Sequence, residues 1–218
     1  MSPTASPGPM LLQAWTELTA DDTASLTTGG LLQGAGVTSN YSAHVDNEVT
    51  LGSNDVLSSF GTINIGTYTT ALVRTNAYVS TYGLASVGVA KADVTVITNN
   101  NVNVGSNSSL IGLADVNVVA GREGSGLRLN SLTGAATALG YVRGVIAVPS
   151  ATASTNLQNH AKVKVDSGAE ISSAQNVGLG AYDGLLNADA DGTGHGYQLY
   201  FIPVTSGTSS PGFSSSST

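Results

Sequence analysis

The chain repeats itself, and that repeat restricts its fold more than any other feature. Three segments align without a gap: Val49-Thr50-Leu51-Gly52-Ser53-Asn54 running on to Leu57 and Ile63-Asn64-Ile65; Val102-Asn103-Val104-Gly105-Ser106-Asn107 running on to Leu110 and Val116-Asn117-Val118; and Val163-Lys164-Val165-Asp166-Ser167-Gly168 running on to Ile171 and Val177-Gly178-Leu179. Their starts lie 53 and 61 residues apart. The 53-residue register also holds upstream, where Ala24, Thr28, Gly30 and Leu31 fall on Ala77, Thr81, Gly83 and Leu84. Further on, Gly83 aligns with Gly140, which puts a short insertion between Gly140 and Val163, around Pro149-Ser150-Ala151. A fourth, incomplete unit begins near His195-Gly196-Tyr197, matching Leu139-Gly140-Tyr141. A fixed period of this length marks an architecture in which each unit buries its apolar face against its neighbours.

Val-x-Val alternates an inward apolar with an outward polar residue, which is a strand of period two. Gly52-Ser53-Asn54 and its counterparts supply residues that tolerate positive φ or hydrogen-bond their own backbone. One lone apolar residue (Leu57, Leu110, Ile171) precedes the next alternating pair. Strand, corner, short strand, corner and strand make a lap of a β-solenoid. Coils of known short repeats take roughly 20–30 residues, so each 53–61-residue repeat is expected to hold two or more. The second coil runs from Val79-Ser80-Thr81 to Val94-Thr95-Val96, where Ala, Gly and Ser crowd the apolar positions and imply a thin core. A two-sheet sandwich has no reason to show a long gap-free period.

Composition agrees with an all-β chain. Charged residues are 10% against about 25% in ordinary globular proteins, and Thr, Asn, Gly, Ser and Val are poor helix formers. The expected organisation is an N-terminal linker or cap over 1–21, the solenoid over 22–205 and a flexible Ser/Gly/Pro-rich tail over 206–218. Leu11, Trp15 and Leu18 have helical spacing, so Met10–Leu18 reads either as a capping helix or as one more strand.

Arg74, Lys91, Arg122, Arg128, Arg143, Lys162 and Lys164 are scattered and outnumbered by fourteen acids. Nucleic acids and anionic membranes need clustered cations, so neither is an expected partner. No apolar run approaches the ~18–20 residues that cross a bilayer, which argues against membrane insertion. Cysteine is absent, as in many exported bacterial repeat proteins and unlike small disulfide-bonded domains. The start, Met1-Ser2-Pro3-Thr4-Ala5, has no basic n-region and no apolar h-region; any export signal is expected to be encoded elsewhere.

The pattern Val102-Asn103-Val104-Gly105-Ser106-Asn107, then Asp115-Val116-Asn117-Val118-Val119-Ala120-Gly121, with its equivalents in the other units, resembles the β-helical repeat regions of very large bacterial exoproteins of the filamentous-haemagglutinin-like adhesin kind. The resemblance spans about Asp22 to Tyr200. It implies a right-handed parallel β-helix in a secreted, cell-surface stalk or fibre, and it brings no catalytic residues. The 53–61-residue period is longer than the repeats of that family.

Asn187-Ala188-Asp189-Ala190-Asp191-Gly192 is the sharpest local motif. Oxygen donors at alternate positions followed by Gly resemble the first half of an EF-hand loop, making Asn187, Asp189 and Asp191 candidate calcium ligands. Gln198 stands where the bidentate Glu belongs, and the competing reading is a plain Asx-rich turn. No other cofactor is expected. His44, His160 and His195 share no metal-like spacing and read as solvated loop histidines. The acids Asp46, Glu48, Asp55, Asp93, Asp115 and Glu123 fall at different points of the repeat, unlike the paired carboxylates of glycosidases. Gly124-Ser125-Gly126 lacks the spacing of a nucleophile elbow. Thr67 meets Ala120 and Ala181 in register, so there is no threonine array of the kind that binds ice.

The expected function is therefore structural and non-enzymatic: an extracellular rod that self-associates head to tail, its apolar strand Tyr197–Val204 pairing with Leu31-Leu32 of the next copy. The alternative is an adhesin or carbohydrate-binding module that contacts glycans or a neighbouring cell surface through an outer face, with Tyr68, Tyr82, Tyr141, Tyr182 and Tyr197 as the candidate aromatics.

Overall fold

The computed structural model describes residues 8–198 and 207–217. Among them the chain is all-β, with no helix. Its strands are β1 (Met10–Gly29), β2 (Leu32–Leu51), β3 (Val56–Ser59), β4 (Ile63–Val104), β5 (Ser109–Gly112), β6 (Val116–Ala120), β7 (Ser131–Val165), β8 (Glu170–Ser173), β9 (Val177–Ala181), β10 (Leu185–Gln198) and β11 (Gly207–Ser217). Eight form one curled sheet in which β4 and β7 are the long central strands, and β3, β5 and β8 form a second. All strand pairings are parallel.

Register partners lie a full repeat apart. Val49 pairs with Val102 and Val102 with Val163, and Leu57, Leu110 and Ile171 line up in the small sheet. Among the described residues no strand pairs with another of its own repeat, so the expectation of two short coils per repeat does not hold. The two halves of β4 and β7 instead face each other as opposite walls. A Cβ added to Gly134 would lie 2.9 Å from Leu157 and 3.2 Å from Val94, and one added to Gly88 would lie 2.8 Å from Val142 and 3.4 Å from Val79. The residues read as a second coil belong to β4 and form part of these two facing walls.

Three further expectations are corrected. Gly83 pairs with Gly144 rather than Gly140, and Pro149 stands opposite Gly88 in unbroken register. The extra residues lie instead at 121–130, since Gly66 pairs with Val119 but Thr70 already pairs with Ser131. The spacing of Leu11, Trp15 and Leu18 makes no helix: Met10–Gly29 is a strand paired along its length with Ile63–Tyr82, so the sheet begins at Met10 and not at Asp22. Gly207–Ser217, read as flexible tail, pairs with Ala151–Ala161, because ladder bonds use the backbone and ask little of Ser and Gly side chains. Of the apolar strand expected over Tyr197–Val204, Tyr197 and Gln198 end β10 and the remainder lies outside the described residues.

The turn chemistry agrees with the sequence. Asn54, Asn107 and Gly168 occupy one position of the repeat and all have positive φ, 64°, 56° and 75°. These residue types adopt that conformation at least cost. Two apolar clusters fill the interior. Ile63, Ile65, Val102, Val104, Leu110, Val116 and Val118 make the bulkier one, against which half-buried Val49 and Val163 pack. The other is built mostly of Ala and Val, with Ala71, Ala77, Ala90, Ala92, Ala136 and Ala153 in it. Small side chains let the two walls approach closely.

A buried polar band separates the clusters. Asn47 donates through Nδ2 to Thr69 Oγ1 at 2.9 Å and to Asn100 Oδ1 at 3.2 Å. Thr69 Oγ1 donates across the interior to Asn100 Oδ1 at 3.2 Å, and Thr98 Oγ1 donates to Asn159 Oδ1 at 2.9 Å. Buried amides of this kind are tolerated only when hydrogen-bonded. The interior is not the uniformly apolar one that the Val-x-Val pattern implies.

Candidate functional site

The one excursion that breaks the β4–β7 ladder carries three of the chain's charged residues, Arg122, Glu123 and Arg128. It leaves β6 at Gly121, whose φ of +75° lies in the region that favours glycine. It then folds back as a tight hairpin. Glu123 N donates to Arg128 O at 2.8 Å, and Asn130 N to Gly121 O at 2.9 Å. Arg122 bridges antiparallel to Thr67 on one side and to Leu129 on the other. The hairpin lies directly on β4 because two glycines meet there: a Cβ on Gly66 would run into the Gly124 nitrogen, and one on Gly124 would sit 2.9 Å from Asn64 Cβ.

This placement brings Arg128 to the aromatic pair Trp15 and Tyr68, register partners in β1 and β4. The rings stack at 6.0 Å between centroids and 7° between planes. Arg128 Nη1 donates to Tyr68 Oη at 3.3 Å, and this bond, reinforced by the phenol's charge interaction, holds the guanidinium above the ordinary arginine pKa. Tyr68 is 3% exposed and Trp15 is 51% exposed. With Glu17, Thr70 and Leu129 they line a groove of about 340 Å³ on the outer face. Arg122 lies over the Tyr182 ring at 5.2 Å on the hairpin's other flank.

A second aromatic group runs across β4, β7 and β10. Tyr141 stacks on His195 at 4.9 Å and on Tyr197 at 6.5 Å, with Tyr78 tilted against it at 5.8 Å. Arg143 lies over Tyr197 at 5.5 Å.

Protein-family models, curated proteins and solved structures were all compared with this chain, and none matches it.

The calcium candidates lie on a strand. Asn187, Asp189 and Asp191 occupy alternate, exposed positions of β10, opposite Thr133, Ala135 and Thr137. Alternate residues of a strand stand roughly 6.6 Å apart, whereas one calcium ion gathers its oxygens at about 2.3–2.6 Å. The three are not brought together as an EF-hand loop would bring them, and Asp191 accepts from Thr193 Oγ1 at 3.0 Å. The histidines are also on strands rather than in loops: His44 in β2, His160 in β7 and His195 in β10. Of the candidate tyrosines, Tyr68 and Tyr182 lie against the two flanks of the hairpin, Tyr141 and Tyr197 share a stack, and Tyr82 is exposed. Sequence reasoning missed Trp15 as a surface aromatic and 121–130 as a site. The available signal was register: Trp15, Tyr68 and Tyr182 occupy one position of the repeat, and only Gly121 interrupts it.

Proposed function

We propose that this chain is a non-enzymatic β-solenoid rod of an extracellular surface structure, and that its copies stack head to tail. The observation that carries the proposal is the open state of both ends. Among the described residues β1, β2 and β3 each pair on one side only, and so do β8, β9, β10 and β11. A parallel edge left unpaired is a template for another strand. The inward residues of the end strands are half-covered: Met10, Leu12, Val49 and Leu57 at one end, Ile171 and Ala181 at the other, all packed on a buried cluster. Leu31 and Leu32 are 74% and 78% exposed beside the first edge, and Leu185 is 65% exposed beside the last.

Stacking one copy's β1–β3 on another's β8–β11 would satisfy both edges and close the interior. The two surfaces differ, so the contact is heterologous and does not close on itself; such contacts propagate into filaments. Three stacked valines, Val49, Val102 and Val163, support successive laps around one interior. Low charge, absence of cysteine and the adhesin-like repeat support an exported location. Negative-stain microscopy with sedimentation velocity over a concentration series tests the reading. Rods that lengthen with concentration, and that shorten on Leu32→Lys, are expected. Monodisperse monomers at high concentration overturn head-to-tail stacking, and rounded particles overturn the rod.

A further inference from the structure

We propose that the groove between Trp15 and Arg128 binds a neutral oligosaccharide, with one pyranose ring lying on the indole. This site lies on the outer face, at positions that alternate with the inward residues of β1 and β4; the indole face away from Tyr68 looks toward the open edge of β1, so a bound sugar and a stacked copy compete for it.

The groove is built in layers. Tyr68 is buried and immobilised by the wall of β4 below it and by Arg128 at its hydroxyl. Trp15 rests on Tyr68 in a nearly parallel stack, which fixes the indole plane while leaving half of the residue exposed. A rigid, exposed aromatic plane is costly to keep in water and suits a ligand with an apolar face and a polar rim. Pyranose rings have that character: axial C–H groups on one face, hydroxyls around the edge.

The polar groups beside the plane match hydroxyls. Glu17 and Thr70 follow Trp15 and Tyr68 by two residues and so share their outward face. Glu17 offers a carboxylate acceptor, Thr70 a hydroxyl and Arg128 a fork of donors; among the described residues no ion pair ties Glu17 to Arg128. One carboxylate and one guanidinium leave the groove near neutral. Stacking also suits nucleic-acid bases, but a chain of net charge −7 with a carboxylate in the groove repels a phosphate backbone, and a polyuronate meets the same repulsion. Among the described residues Glu17 is the only carboxyl lining the groove, whereas glycoside hydrolysis needs two. Binding without cleavage is what the geometry supports, and a groove of about 340 Å³ falls in the range of small-ligand sites.

Trp15 is the only tryptophan, so its fluorescence reports the site directly. The probes are cellohexaose, mannohexaose and chitohexaose, with trigalacturonate as the charged comparison, at a protein concentration where sedimentation shows a single species. The expected result is a saturable shift of Trp15 emission with at least one neutral hexamer and none with trigalacturonate. Calorimetry then reads the variants. Trp15→Ala abolishes binding, and Glu17→Gln and Arg128→Gln each weaken it about tenfold, the loss of one charge-assisted hydrogen bond. Tyr197→Ala, in the other aromatic group, leaves it unchanged. Circular dichroism melts confirm that each variant folds. Absence of a saturable change with every neutral hexamer up to about 10 mM, the scale of the weakest useful affinities, overturns the site. So does binding that survives in folded Trp15→Ala, or that appears with trigalacturonate alone. An emission change that follows protein concentration instead of sugar reports stacking of copies and counts against the saccharide.

Discussion

Asn130 Oδ1 accepts the backbone N–H of Thr69 at 2.6 Å, and this bond, beside the Arg122–Thr67 bridge, repairs the break in the sheet. β6 leaves the ladder after Ala120 and β7 rejoins it at Ser131, so β4 has no parallel neighbour over the residues between. Asn130 stands in for the missing strand and uses its Nδ2 to donate to Asn159 Oδ1 at 2.8 Å. Asn130→Ala would strand the buried N–H of Thr69, at about 1–3 kcal/mol, while Asn159 Oδ1 keeps its bond from Thr98 Oγ1. A loss of about 1–3 kcal/mol in urea unfolding is expected. A change below about 0.5 kcal/mol would show that water replaces the lost bond.

Gly66→Ala tests how the hairpin is seated. Glycine inside a strand is ordinarily a weakness, and alanine there gains about 0.4–1 kcal/mol through the unfolded state. At Gly66 the added methyl meets the Gly124 backbone, so the hairpin must lift. Tryptic cleavage after Arg122 and Arg128 should rise about tenfold or more, as local opening becomes cheaper. Gly36→Ala is the control: its Cβ meets nothing nearer than the Val89 carbonyl at 3.9 Å, and it should leave cleavage unchanged and stability equal or higher. Equal cleavage in both variants would mean that the glycine contact does not hold the hairpin.

Much of this fold can be read from particular residues, and the misreadings have identifiable causes. Val49, Val102 and Val163 announce both the strand and its partners, because in-register stacking forces like residues onto like. Asn54, Asn107 and Gly168 announce the turn, because few residues adopt positive φ. Gly140 misled because glycine recurs every few residues here, and a one-residue identity cannot separate Gly140 from the true partner Gly144. Leu11, Trp15 and Leu18 suggested a helix, yet a three-residue step in a strand puts Trp15 and Leu18 on opposite faces: Trp15 is exposed, while Leu18 packs on the core. The groove was illegible for the same reason, since Met10–Leu18 reads either as a capping helix or as a strand, and only the strand sets Trp15 beside Tyr68. The Asn47–Asn100–Asn159 band was hidden because asparagine more often signals a turn than a buried wall.

Asp46 gives a prediction in pH. Asn99 Nδ2 donates to its carboxylate at 2.6 Å, and His44 Nε2 lies 3.1 Å away. The Asn99 bond, with a smaller contribution from His44, holds the Asp46 pKa below its ordinary 3.8. A carboxylate whose folded pKa is depressed adds stability above its unfolded pKa and loses it as pH falls through the folded one. Asn99→Ala should therefore raise the Asp46 midpoint toward 3.8, read from its carboxyl carbon by NMR. The stability gap between wild type and variant should be present at neutral pH and vanish in strong acid. A midpoint that does not move would assign the shift elsewhere.

The aligned residues Leu57, Leu110 and Ile171 connect stability to assembly. Leu110 is fully buried between its neighbours, and Leu110→Ala should cost about 2–5 kcal/mol at any protein concentration, the range for a core leucine. Leu57 packs on the same cluster but is half-exposed at the open end, so in an isolated chain its removal forfeits only the buried part of the side chain, about 1–2 kcal/mol. Stacking of a second copy would cover Leu57 and turn it into another Leu110. Urea unfolding of the two variants at a dilute and a concentrated condition should thus give unequal losses in the first and converging losses in the second, since assembly stabilises by mass action. A Leu57→Ala cost that stays small while rods are visible would place the contact between copies somewhere other than the first edge.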